Sequence, residues 1–290
     1  MRQVEDPVRA DSETGCFRAT VAYDGTEFLG FQLQSKGRTV QGVLEDALAQ
    51  VTQTTVRVIG SGRTDSGVHA RGQVIAFRSD WRHTMEDLHR ALNAVLPPDV
   101  AVLDLDRAPQ GWHPRFSALR RHYRYTVLNQ PLRSPLDRRY AHHVAQPLDI
   151  CALQAGSRTL VGVHDFAAFG QPTQGKSTSG SRGIEGSAPG SHVIETSEVA
   201  RGLGRITRGP GTVREVFEAG WQQDGPWFAF DVVGNAFLRG MVRRLVGTLL
   251  QVGAGFWPVE RVAEVLESHN RALAAPPAPA CGLCLMRVEY

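Results

Sequence analysis

Hydrophobic and polar positions along the first half of the chain predict a series of strands and helices. Residues 17–23 alternate and end at an Asp-Gly turn, which is typical of a strand. Residues 40–51 place apolar side chains on one helical face after a capping Thr39, and Thr84 begins a second helix. Further short strands are predicted at residues 55–59, 73–77 and 100–105. The order strand, helix, strand, strand, helix, strand is typical of a ferredoxin-like domain.

The second half repeats this order. The predicted elements are a strand at 123–128, a helix from the cap Asp149 to about 160, a hairpin of 212–222 with 227–233, helices at 236–252 and after Pro258, and a last strand at 282–290. Residues 171–211 are rich in Gly, Ser, Thr and Pro, which predicts a mobile insertion. We therefore expect an α+β protein with a tail at 1–16, one domain at 17–112 and a second at 113–290.

Length and composition agree with two domains of a soluble globular protein. The chain has 290 residues, of which 42% are hydrophobic and 21% charged. No apolar run approaches the ~18 residues of a membrane span, and the N-terminus lacks a secretory signal. A cytoplasmic location without membrane contact is expected. Cys281 and Cys284 have metal-ligand spacing, but no second Cys or His pair completes a zinc site, so no metal is predicted.

Basic residues are almost all arginine. Of 32 Lys and Arg residues only Lys36 and Lys176 are lysine, at a net charge of +3. The planar guanidinium suits phosphate contacts and base stacking, which favours a nucleic-acid partner. A GC-rich genome produces the same bias, so charge alone leaves both explanations open.

A glycine-bearing loop carries the densest chemical signal. Residues 60–69 read Gly-Ser-Gly-Arg-Thr-Asp-Ser-Gly-Val-His, with Arg63 close to Asp65. A neighbouring guanidinium keeps a carboxylate ionised and oriented, as a nucleophile or general base requires, although such a pair in a turn is also a common structural clamp. The loop has neither the third glycine of a dinucleotide fingerprint nor the Gly-Lys-Ser/Thr of a phosphate loop. No nucleotide cofactor is therefore expected.

Two further clusters combine basic residues with aromatic or apolar ones. Residues 113–116 and 120–125 interleave Arg and His with Phe and Tyr, a pairing found in sites for single-stranded RNA. The alternative is a tyrosine core face with an arginine exterior. In the predicted helix 236–252, Arg239 and Arg243 lie opposite an apolar stripe, which is also compatible with a solvated basic face.

Taken together, these clusters resemble the TruA-type tRNA pseudouridine synthases. The resemblance spans about residues 17–290, in the order of the family's motifs. The matching segments are 21–32, Gly-Arg-Thr-Asp at 62–65 with His69-Ala70, Phe-Ser-Ala at 116–118, Arg-His-Tyr-Arg-Tyr at 121–125, Asp-Phe at 165–166, Asn-Ala-Phe at 235–237, Met-Val-Arg at 241–243 and Gly-Leu at 282–283.

The resemblance implies a role for each matching residue. Asp65 corresponds to the family's catalytic aspartate, with Arg63 as its partner. Tyr123 corresponds to the tyrosine that packs on the target base and assists proton removal from C5. Arg243 corresponds to the arginine that pairs with the aspartate near the flipped nucleotide, and Leu283 to the apolar lining of the base pocket. Arg239, Arg121 and Arg124 are further candidates for RNA contacts.

The family's activity, fold and partners follow as expectations. We expect isomerisation of uridine to pseudouridine at positions 38, 39 and 40 of the tRNA anticodon stem-loop, without any cofactor. The implied fold is two ferredoxin-like α/β halves whose antiparallel sheets join around a basic cleft, usually in a homodimer. The insertion at 171–211 is longer than the corresponding family segment, and His122 stands where other residues are common.

Two rival functions use the same residues. A ferredoxin-like RNA-binding protein without catalysis lacks the aromatic strand motif expected here and leaves Asp65 among arginines unexplained. A phosphate-handling enzyme using the glycine loop is disfavoured because the loop has no lysine.

Overall fold

The computed structural model describes residues 15–171 and 211–290, and one ten-stranded sheet runs through them. The strands are β1 Gly15–Tyr23, β2 Ile59–Gly60, β3 His69–Ser79, β4 Val100–Arg107, β5 Arg120–Asn129, β6 His142–Val144, β7 Gly162–Asp165, β8 Val213–Asp224, β9 Trp227–Gly234 and β10 Leu283–Glu289. The α-helices in these ranges are α1 Val40–Thr52, α2 Met85–Val95, α3 Ile150–Arg158, α4 Met241–Gly253 and α5 Arg261–Ser268. Apart from its two end residues, the predicted mobile insertion lies outside the described residues.

Local sequence signals explain where three of the five α-helices in the described ranges begin. Thr39 caps α1 by accepting a hydrogen bond from the Gly42 N–H, and Thr84 caps α2 in the same way. The Asp149 carboxylate accepts from two backbone N–H groups at the start of α3. In β1 every second residue from Phe17 to Tyr23 is buried, as the alternation predicted.

Each half of the sheet has the ferredoxin-like order. In the N-terminal half, β1 lies between β4 and β3, and β2 pairs with β3. In the C-terminal half the order is β10, β5, β9, β8, which is the same arrangement built from the second set of elements. The predicted fold class is therefore confirmed. The boundary between domains 17–112 and 113–290 stays a prediction, since a single sheet crosses it.

The two halves meet where β10 lies between β3 and β5. It is antiparallel to β5 and parallel to β3, where Cys284 and Leu285 align with His69 and Ala70. This contact places the end of the glycine loop, which leads into β3, beside the C-terminal half.

Two predicted elements begin four or five residues later than predicted, and β3 begins four residues earlier. Residues 55–58 do not form a strand. At Val58 the backbone groups bind side chains of α1 instead of a neighbouring strand: Glu45 accepts from the N–H and Gln41 donates to the carbonyl. The helix predicted from 236 begins only at Met241, because Gly240 has a φ of +71° that a right-handed helix cannot contain. Arg239 therefore lies before the helix, bridged in extended conformation to Gln171.

Candidate active site

The glycine loop, residues 60–67, is held in place by the buried side chain of Gln73. The Ser61 hydroxyl donates to Gln73 Oε1 at 2.6 Å, and Gln73 Nε2 donates to the Gly62 carbonyl at 3.0 Å. The hydroxyl groups of Thr64 and Tyr23 share a hydrogen bond of 2.8 Å. Because Thr64 is held inward, its neighbours Arg63 and Asp65 remain accessible to solvent.

The 24–32 segment supports the loop from its other side. The Phe31 N–H donates to the Thr64 carbonyl at 3.1 Å, and the Gly67 N–H donates to the Phe28 carbonyl at 3.2 Å. At Gly30, which has a φ of +100°, a Cβ atom would lie 2.8 Å from the Thr64 oxygen. Glycine is required there by both backbone conformation and space, so this motif shapes the loop that carries Asp65.

Two arginines from the C-terminal half face the Asp65 carboxylate. Arg243 Nη1 lies 3.7 Å from Asp65 Oδ2, and Arg239 Nε lies 3.9 Å from Oδ1. Arg243 is itself anchored, because its Nε donates to the Ala278 carbonyl at 2.7 Å. The Asp65 side chain is 28% exposed, so the carboxylate is reachable from solvent and flanked by positive charge.

Tyr123 and Leu283 lie on the same face of the sheet, in the neighbouring strands β5 and β10. Tyr123 is buried and packs edge-on against Phe237, with ring centroids 5.2 Å apart. Burial raises the pKa of Tyr123 to about 12, while the Arg121 guanidinium lowers it and the Asp65 carboxylate raises it. Leu283 is buried opposite Tyr125 in the register of β10 and β5. The structure therefore brings Asp65, Arg243, Arg239 and Tyr123 together.

Comparison with known proteins identifies the family. The family model described as tRNA pseudouridine synthase matches residues 19–117 and 205–290. The chain belongs to this family. Proteins named tRNA pseudouridine synthase A from Roseiflexus sp. (strain RS-1) and Geobacter sp. (strain M21) are 43% and 39% identical to it, each over 93% of this chain and over 88% and 96% of their own lengths. The protein of that name from Moorella thermoacetica (strain ATCC 39073 / JCM 9320) is 38% identical over 95% of this chain and 99% of its own.

Membership of this isomerase family gives the arrangement around Asp65 its chemical context. The site offers a carboxylate, two guanidinium groups and a phenol that remains protonated near neutral pH. Within the described ranges, no group of three or more His, Cys, Asp or Glu residues is arranged to hold a metal ion. None of the helices seen in those ranges has the length and apolar character needed to cross a bilayer.

Arg63 differs from what the pseudouridine synthase motif implied. Its side chain is exposed, and it makes no hydrogen bond or ion pair with Asp65 or with any other residue that the structure describes. The ion-pair partners of Asp65 come instead from Arg239 and Arg243, far along the chain. A catalytic role for Arg63 stays a prediction.

Arg121 and Arg124, both predicted to contact RNA, are used within the protein. Arg124 makes a two-pronged contact with Asp231, with both N···O distances at 2.9 Å. Strand alternation places it on the sheet face opposite Tyr123. Arg121 is on the Tyr123 face but buried, with its guanidinium bound to backbone carbonyls. Neither position favours a direct phosphate contact.

The sequence motifs alone do not reveal the residues that hold the proposed catalytic side chains in place. Gln73 holds the glycine loop, Phe237 packs on Tyr123, and the Ala278 carbonyl orients Arg243. Gln73 has a detectable signal, because it directly precedes the apolar run 74–77 of β3, and a polar residue buried there needs a partner. Ala278 has none, since any residue supplies a carbonyl.

Proposed function

We propose that this protein isomerises uridine to pseudouridine at positions 38, 39 and 40 of the tRNA anticodon stem-loop, with Asp65 as catalytic carboxylate. The observation that carries the proposal is the accessible Asp65 carboxylate, which two guanidinium groups face beside the buried phenol of Tyr123. Family membership supports the reaction, and the relatives' names support tRNA as the substrate.

The reaction suits a site of this composition. Pseudouridine formation breaks the N1 to C1′ bond, turns the uracil and joins C5 to C1′, while the C5 proton is lost and N1 gains one. Atoms and electrons balance without a redox partner or an energy carrier, so we propose that no cofactor, metal or nucleotide takes part. Asp65 supplies the charge that attacks the sugar or the base, or that accepts a proton.

The surrounding residues are proposed to hold the everted nucleotide. A stem uridine must leave the stack at a cost of a few kcal/mol, which phosphate and stacking contacts offset. Tyr123 packs on the uracil and Leu283 lines its pocket, while Arg243 occupies the space next to Asp65. Arg239, whose side chain is 76% exposed, is free to contact a backbone phosphate as well.

The protein's setting is proposed on the same basis. We infer a homodimer in which one tRNA contacts both subunits, acting in the cytoplasm. The family resemblance supports both statements, and the arginine-rich basic composition is compatible with the RNA partner. Light scattering without and with tRNA would measure the number of subunits in the protein and the number of tRNA molecules bound per dimer.

Transcripts that carry a single uridine at 38, 39 or 40 test the substrate assignment. Each is incubated with the protein and EDTA, and pseudouridine is mapped by chemical modification and primer extension. We expect product at each of the three positions, and none in a control transcript whose only uridines lie in the acceptor stem. Product in the control alone, or activity that EDTA abolishes, would contradict the proposal.

A further inference from the structure

The buried guanidinium of Arg121 joins three separate segments of backbone. Arg121 is 6% exposed. It donates to the Asn235 carbonyl at 2.6 Å, to the Ser61 carbonyl at 3.1 Å and to the Arg115 carbonyl at 3.0 Å. Its donors therefore bind both the N-terminal half, through Ser61, and the C-terminal half, through Asn235.

Ser61 is the anchored base of the glycine loop. It is 1% exposed, its N–H donates to the Val74 carbonyl at 2.7 Å, and its hydroxyl donates to Gln73. Asp65 follows four residues later along the chain. A shift of the Ser61 backbone would therefore be transmitted to the carboxylate.

Asn235 is likewise an anchored residue, and it shortly precedes the two arginines that face Asp65. Its N–H donates to the Glu215 carbonyl at 3.0 Å, and its side-chain oxygen accepts from the Glu215 N–H at 3.2 Å, which fixes it to β8. Arg239 follows four residues later and Arg243 eight residues later. The segment that leads to Asp65 and the segment that leads to Arg239 and Arg243 therefore each begin at a carbonyl bound by the Arg121 guanidinium.

We propose that Arg121 is a positioning residue that sets the separation between the Asp65 carboxylate and the guanidinium groups of Arg239 and Arg243. This role depends on the proposed catalysis by Asp65. A planar fork with five donors can bind several carbonyls in fixed directions, whereas the compact ammonium of lysine cannot hold the same geometry. The interaction is therefore specific to arginine and not to positive charge.

The position of Arg121 also affects the Tyr123 phenol. Burial raises the pKa of Tyr123, and the Arg121 charge opposes part of that rise. Replacement by lysine retains a positive charge next to the phenol while it removes the fork. Arg121→Lys therefore separates the effect of geometry from that of charge.

The test compares Arg121→Lys with the wild-type protein and with Arg261→Lys. Arg261 lies in α5 and pairs with Glu264, so it controls for the substitution itself. For Arg121→Lys we expect kcat per folded molecule to fall roughly 10- to 100-fold, the effect of a misplacement of about 1 Å, with a tRNA Kd close to the wild-type value. Arg261→Lys should leave both unchanged.

Unchanged kcat in Arg121→Lys would overturn this role. A lower melting temperature with unchanged kcat would make Arg121 only a stabilising residue, and a weaker Kd with unchanged kcat would make it an RNA contact. Should Arg121→Lys not fold, Asn235→Ala loosens the same carbonyl from β8 and must lower kcat in the same way. An inactive wild-type protein would refute the proposed function, whereas an active wild type with fully active variants refutes only the role of Arg121.

Discussion

At the scale of single residues, the distances around Asp65 show that two arginines face its carboxylate without forming hydrogen bonds to its oxygens. The contacts of 3.7 and 3.9 Å to Arg243 and Arg239 exceed hydrogen-bonding distance, so the guanidinium groups act through charge. The oxygens of the carboxylate are therefore available for a nucleotide. By contrast, Asp231 accepts short hydrogen bonds from Arg124 and His122, as expected of a structural ion pair.

Arg243→Ala should lower both rate and affinity. It removes the partly buried guanidinium that faces Asp65, and with it the charge proposed to meet the nucleotide. We expect kcat/KM to fall roughly 100-fold, as observed when one preorganised donor is lost from an active site. Steady-state kinetics and filter binding measure the two effects. Arg244→Ala is the matched control, since Arg244 binds the Ala275 carbonyl instead, and equal losses in both variants would contradict the assignment.

Motifs at residue scale predict some of the side chains that meet at the site, but not how each one is used. Asp65, Tyr123 and Arg243 were assigned by resemblance, and the structure places them together. The alternation along β5 indicated which face each residue occupies, but it contains no information on what the Arg121 guanidinium binds. The loop sequence and the resemblance both predict Arg63 as the partner of Asp65, whereas the arginines that face its carboxylate come from the other half of the chain.

At the scale of elements, the start of α4 controls the site. Gly240 ends the extended stretch that holds Arg239 and precedes the helix whose first turn carries Arg243. Hydrophobic periodicity continued through this point and predicted a helix from residue 236. The periodicity could not reveal the break, because Leu238 before it and Met241 and Val242 after it are all buried. The caps Thr39, Thr84 and Asp149 were predictable, since each lies next to its own helix.

Gly240→Ala tests this break. The left-handed conformation costs a residue with a Cβ atom about 1 to 2 kcal/mol, although open space surrounds the position. We expect the free energy of unfolding to fall by about 1 kcal/mol and kcat to fall several-fold, because Arg239 and Arg243 flank the strained residue. Urea denaturation and kinetics measure both.

Gly220→Ala is the control for Gly240→Ala. Gly220 lies in β8, also has open space where the Cβ atom of an alanine would lie, and lacks a positive φ. Its replacement should change stability by less than about 0.5 kcal/mol. Equal effects of the two substitutions would show that conformation at Gly240 is not what matters.

At the scale of the whole molecule, the two halves form one sheet through β10. Each half was predictable from its own order of elements, because local periodicity and caps define it. The parallel contact of β10 with β3 was not, since it joins segments about 200 residues apart and no short-range pattern encodes such a pairing. This contact between β10 and β3 brings the glycine loop close to the segment that carries Arg239 and Arg243.

Buried tyrosines should make the fold sensitive to alkali. Burial raises the pKa of Tyr123 to about 12, and it raises those of Tyr23 and Tyr125 further, above the ordinary value of 10.0. Their contribution to stability is fully present below pH 10 and is lost as the pH rises through the folded-state values. Denaturant titrations should therefore show a falling free energy of unfolding above pH 10. A flat profile from pH 9 to 12 would contradict this burial.

The rate of tritium release from tRNA labelled at C5 of uridine, compared between wild type and Asp65→Asn, tests whether the Asp65 carboxylate is required for the reaction. The substitution keeps the side-chain shape and removes the charge, so we expect turnover to fall by a factor on the order of 1,000 or more while the tRNA Kd changes little. Asp231→Asn, on the opposite face of the sheet, should release tritium at the wild-type rate. Release by Asp65→Asn within tenfold of the wild-type rate would contradict a catalytic role for Asp65.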